Sequence, residues 1–107
     1  MGSADPALPL ALAKRVRGLV AEADAVSQQL GDEETGADLE DLARVLQKLD
    51  SDARSLLALM PDNRDLQSAC RHLREARDLM DDGMPADAAA LEVMAAKARL
   101  EASLKPS

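Results

Sequence analysis

Residues 39–60 read LEDLARVLQKLDSDARSLLALM, and their spacing decides the fold. Leu39, Leu42, Leu46, Leu49, Ala53, Leu56 and Met60 follow one another at alternating intervals of three and four, which places them on one stripe of an α-helix. Glu40 and Asp41 fall near the positive end of that helix's dipole, and Thr35 or Asp38 is its expected cap. The polar residues between the leucines lie on the other faces, so this segment buries one side and wets the rest.

The same period recurs to either side. On the N-terminal side, Leu12, Val16, Leu19, Ala23, Val26 and Leu30 form a second stripe, on a helix of about 30 Å at 1.5 Å per residue. Gly31 is its expected stop, and its start is either Pro6, capped by Asp5, or Pro9, because proline is tolerated only in a first turn. On the C-terminal side, Leu66, Ala69, Leu73, Ala76 and Met80 make a shorter, more charged stripe after Pro61, with Asp62 or Asn63 as cap and Gly83 as stop. A fourth stripe holds Ala89, Val93, Ala96, Leu100 and Leu104, with Leu91, Met94 and Ala98 beside it. Its small residues allow close helix approach.

The interruptions GDEETG (31–36), MPDN (60–63) and DDGMP (81–85) each combine Gly or Pro with Asp, Asn or Thr, as helix stops and starts do. Helices are therefore expected over about 9–30, 37–60, 63–81 and 85–104. Four amphipathic helices on short connections imply an all-α, antiparallel up-and-down four-helix bundle over residues 6–105. The alternative is a three-helix spectrin-like bundle with the second and third segments continuous through Pro61. Residues 1–5 are expected to lie outside the domain as a disordered segment, and Met1-Gly2-Ser3 reads as a cloning remnant.

Composition narrows the class. The 107 residues carry 20 Asp plus Glu against 13 Lys plus Arg, no Phe, Tyr or Trp, and one Cys. A net charge of −7 without aromatics repels phosphate and offers no stacking platform for bases, which argues against nucleic acid and anionic membrane surfaces as partners. The apolar stretch from Ala7 to Ala13 is too short to span a bilayer. A lone Cys70 closes no internal disulfide, and a reducing, cytoplasmic location fits it best.

Chemistry is sparse. Cys70 and His72, two residues apart on a helix, point to different faces, so neither a shared metal nor a thiol–imidazole pair is expected; Cys70 reads as a small core residue beside Ala69. His72-Leu73-Arg74-Glu75 reverses the Glu-x-x-His order of carboxylate-bridged metal bundles. Asp32-Glu33-Glu34 and Asp81-Asp82 read as solvated helix-end residues, and Asp81-Asp82-Gly83 departs from the EF-hand pattern. No enzyme activity and no cofactor are expected.

What remains points to protein partners. Arg64, Arg71, Arg74 and Arg77 make the third segment basic, suited to gripping carboxylates, although Glu75, Asp78 and Asp81 four residues after the last three favour neutralisation within the helix. Met60, Met80, Met84 and Met94 are placed at or near loop ends, where flexible thioethers suit a surface that accepts varied helices, and core filling is the competing explanation. The reading is a non-enzymatic module that docks a partner's amphipathic helix, with Met60, Met80, Met84, Arg71 and Arg74 as candidate contacts. The competing class is a self-associating structural or scaffolding element, possible as a homodimer.

Two resemblances accompany this reading. LAKRVRGLVAEADAV (12–26), followed by Leu46-Gln47-Lys48-Leu49-Asp50-Ser51, resembles the first two helices of a BAG domain, over about half of the chain. That three-helix module engages the Hsp70 nucleotide-binding domain, and the resemblance implies accelerated nucleotide release from the chaperone. The BAG third helix carries an Arg-Lys pair before its apolar stripe. Here Cys70-Arg71 precede a stripe displaced by one position, and the second helix runs past Ser51 to Met60, so no binding residue is carried over. Leu59-Met60-Pro61 followed by Leu66 is equally similar to the focal-adhesion-targeting bundles, which bind short Leu-rich helices. A pattern shared with two unrelated families reflects heptad spacing, and the chain is assigned to neither.

Overall fold

A computed structural model describes residues 9–31 and 39–105. They form four helices: α1 (Leu10–Gly31), α2 (Leu39–Leu59), α3 (Arg64–Asp81) and α4 (Ala86–Ser103). All eight helix ends fall within two residues of those expected from periodicity. Each helix packs on its chain neighbours and α4 closes the ring on α1, so the architecture is the expected four-helix bundle.

The breaks follow from local chemistry. Pro9 stands just before α1 and its carbonyl accepts from Ala13 N–H at 2.8 Å, which favours the later of the two expected starts. Asp5 and Pro6 lie outside the described residues, as do the cap candidates Thr35 and Asp38 and the acidic run Asp32-Glu33-Glu34. The continuous second and third helix of the spectrin-like alternative does not occur. Pro61 has no N–H to donate and disfavours helical backbone at Met60, so the chain leaves the helix at residues 60–63. Asn63 then restarts it, its side-chain oxygen accepting from Leu66 N–H at 3.0 Å. At the far end of α3, Gly83 takes φ +74°. Its N–H donates to the Met80 carbonyl and that of Met84 to the Leu79 carbonyl, a Schellman stop.

The four expected stripes meet in one core. Val16, Leu19, Ala23, Val26 and Leu30 of α1 pack with Leu42, Leu46, Leu49, Ala53 and Leu56 of α2. Leu66, Ala69, Leu73 and Ala76 of α3 and Ala89, Val93, Ala96 and Leu100 of α4 complete it. Cys70 is buried beside Ala69, as expected of a small core residue. Each fully buried leucine contributes about 1.5–3 kcal/mol relative to exposure, which is what holds together helices that are individually marginal. The fully buried alanines of α4 permit close approach, and α4 forms the most extensive interfaces of the bundle, with α3 and with α1. Helix α2 is held through thinner interfaces.

Candidate functional site

The residues singled out from the sequence do not converge. Met60 closes α2 at one end of α3, whereas Met80 and Met84 lie at the other end, and the 18 residues of α3 between them span about 26 Å. Met60 and Met80 are half-buried against the core, while Met84 is exposed. Met94 is not near a loop; it stands in the middle of α4. Met80 does enter a groove between α2 and α3 of about 110 Å³, and arginines border it, but they are Arg44 and Arg77. Arg71 and Arg74 lie on the exposed face of α3 and make no ion pair with any described residue.

The self-neutralised basic stripe is also revised. None of the pairs Arg71–Glu75, Arg74–Asp78 or Arg77–Asp81 forms among the described ion pairs. Arg77 instead reaches across to α2, where its Nη1 donates to Asp50 Oδ2 at 2.7 Å. A charge-assisted bond to a buried carboxylate outweighs an exposed intrahelical pair, which is worth only a few tenths of a kcal/mol. Arg54 Nη2 approaches the same oxygen at 3.1 Å. Asp50 is fully buried, and its Oδ1 has no hydrogen-bond partner. Burial pushes the neighbouring Cys70 thiol above its ordinary value of 9.0, and the negative charge of Asp50 adds to the rise. Cys70 is therefore a poor nucleophile at neutral pH. His72 faces away from it, its Nδ1 2.8 Å from Glu92 Oε2 on α4. Among the described residues no set of three His, Cys, Asp or Glu side chains is arranged to hold a metal ion.

The feature with the geometry of a binding surface is the outer face of α4. Its inner side packs against α3 and α1, yet Leu91 is 68% exposed and Met94 55% exposed, with Ala98 exposed beside them. These three follow at intervals of three and four, the spacing of a helix-docking stripe. Expected beside the core stripe, they stand instead on the side of α4 turned away from it, with no helix to cover them. Along one border runs a groove between α1 and α4 of about 370 Å³, with Asp24, Gln28 and Lys97 in its walls. Lys97 Nζ donates to Asp24 Oδ1 at 3.0 Å, and that bond raises the lysine's pKa and pins α4 to α1. No described helix is long and apolar enough to cross a membrane.

Comparison with protein-family models, with curated proteins and with solved structures gives no match.

Proposed function

We propose that this protein is a non-enzymatic interaction module that docks an amphipathic helix of a partner protein on the outer face of α4. The observation that carries the reading is the Leu91–Met94–Ala98 stripe, exposed on a helix whose other sides are already packed. An amphipathic helix laid along such a stripe buries apolar surface on both partners at about 25 cal/mol per Å² removed from water. A non-catalytic role is supported by Cys70 being buried with a raised pKa and by His72 being engaged with Glu92, so no activated nucleophile stands in a cleft. A cytoplasmic location is supported by the lone thiol.

The test is the double substitution Leu91→Asp/Met94→Asp. Both side chains are exposed, so the helical circular dichroism and the unfolding midpoint should stay near those of the wild type while binding to a Leu-rich helical peptide is lost. Retained binding would place the docking surface elsewhere.

A further inference from the structure

Resting on the α4 docking reading, the chemistry at the two ends of the stripe specifies its occupant. We infer that the partner helix carries basic residues on both sides of its apolar stripe, and that the occupant is not a second copy of this chain. The outer face of α4 reads Asp87, Leu91, Met94, Ala98, Glu101, with intervals of four, three, four and three, and all five residues are exposed. At 100° per residue they fall within an arc of about 80°, so an apolar centre lies between two carboxylates on one line. Asp87 and Glu101 are fourteen residues apart, about 21 Å along the helix.

The surrounding cations offset these charges only in part: Glu101 has a long ion pair with a lysine that Asp24 already holds, and Asp87 has none among the described residues. Lys97 is held by Asp24 at 3.0 Å, with Glu101 at 3.8 Å, and Arg99 lies 3.9 Å from Asp65 of α3. Asp87, in the first turn, has no ion pair among the described residues. Lys105, the next residue at this spacing, follows the C-cap Leu104 and is off the helix. The line therefore presents carboxylate, apolar centre, carboxylate.

A second copy fits this line badly in every simple register. An antiparallel pair centred on Met94 sets Asp87 against Glu101 at both ends. A parallel pair in register sets Asp87 against Asp87 and Glu101 against Glu101. Sliding the antiparallel pair by one heptad lays Asp87 on Met94, which strips water from a carboxylate without supplying a partner. Like charges at the ends select against self-pairing, as in helix pairs whose specificity rests on charge repulsion. A foreign helix with Lys or Arg fourteen residues apart and Leu or Met between them meets both carboxylates and the apolar centre at once.

The experiment uses the full chain and two synthetic helical peptides of identical apolar stripe, one with Lys and one with Glu at the two positions fourteen residues apart. Binding is followed by amide chemical shifts of the isotopically labelled protein at low and at raised salt. The Lys peptide is expected to bind on the order of tenfold more tightly than the Glu peptide at low salt, the gap narrowing as salt screens the exposed pairs. Shifts should centre on Leu91, Met94 and Ala98, and Asp87→Lys/Glu101→Lys should reverse the preference. Equal affinities with shifts still on the α4 face would overturn the charge inference and leave the docking reading standing. Shifts elsewhere, or no binding by either peptide, would sink the docking reading itself. A concentration-dependent dimer of the wild type that broadens the α4 amides would refute the exclusion of a second copy.

Discussion

The buried cluster between α2 and α3 makes a prediction in which removing a base and removing the acid it pairs with have unequal consequences. Asp50 is fully buried; its Oδ2 receives Arg77 at 2.7 Å and Arg54 at 3.1 Å, and its Oδ1 receives nothing. Deleting one partner of a buried pair costs about 3–5 kcal/mol, because the other charge stays in the interior. Arg77→Met takes away the shorter bond and leaves Arg54, so the expected loss is about 2–3 kcal/mol. Asp50→Leu differs in kind. It removes the orphaned oxygen along with the charge, and the arginines left behind reach water, their side chains being 33% and 49% exposed for Arg77 and Arg54. Its expected effect is within about 1 kcal/mol of zero, and the double variant Asp50→Leu/Arg77→Met should equal or exceed the wild type by about 1 kcal/mol. For a domain of this size, 2–3 kcal/mol lowers Tm by on the order of 10–20 °C. The chain has no Trp or Tyr, so urea unfolding is followed by far-ultraviolet circular dichroism, and the four proteins close a double-mutant cycle. Equal losses for Arg77→Met and Asp50→Leu, or a larger loss for Asp50→Leu, would refute the claim that the carboxylate is held at a desolvation cost.

The helix ends and the thiol supply the other predictions. Asn63→Ala should cost about 1 kcal/mol by removing the acceptor for Leu66 N–H, and Asn63→Asp should restore most of it; equal losses in urea melts would contradict the capping role. Gly83→Ala should cost about 1 kcal/mol although no atom beyond the adjoining residues lies within 4 Å of the added carbon, because the penalty lies in the φ of +74° alone. The Cys70 pKa is raised on folding, so the folded state holds its proton where the unfolded chain has released it. That contribution is complete below pH 9.0, the thiol's ordinary value, and is lost as pH rises above it, so the urea midpoint should fall more steeply there for the wild type than for Cys70→Ala. Parallel slopes would show that the thiol titrates alike in both states.

Periodicity made the helices legible because each stripe is made of Leu, Val, Ala and Met at unbroken three-and-four spacing, and Pro61, Gly83 and Pro85 have backbone requirements that no tertiary contact overrides. The Asp50–Arg77 pair was missed because a single stripe is narrower than the face a bundle helix buries. Positions four residues after stripe members also turn inward. In α2 these are Ala43, Asp50 and Leu57, and in α3 they are Cys70 and Arg77. An Asp in a column otherwise filled by Ala and Leu, facing an Arg in the equivalent column of the next helix, is the signal that would have found the pair. The sequence-based pairing of Arg77 with Asp81 considered only the helix's own surface, where the reward is small, and left out the buried acceptor on the neighbouring helix.

The displacement of the candidate surface from the loop methionines to α4 has a related cause. Residue type alone groups Met60, Met80 and Met84, but the 18 residues of α3 hold them at opposite ends of the bundle. Angular position gives a different grouping. Leu91 precedes Val93 by two residues and so stands about 200° around the helix from the core stripe, a place that no neighbour in a ring of four helices can reach. An apolar residue flanking the core stripe can be absorbed by an adjacent helix, as Leu57 and Leu79 are. One opposite the stripe can be covered only from outside. Leu91, with Met94 and Ala98 continuing its line, is therefore left uncovered by the four-helix fold; on the proposed docking reading this line is where a further helix would lie, and the carboxylates Asp87 and Glu101 at its ends would restrict which helix can meet it.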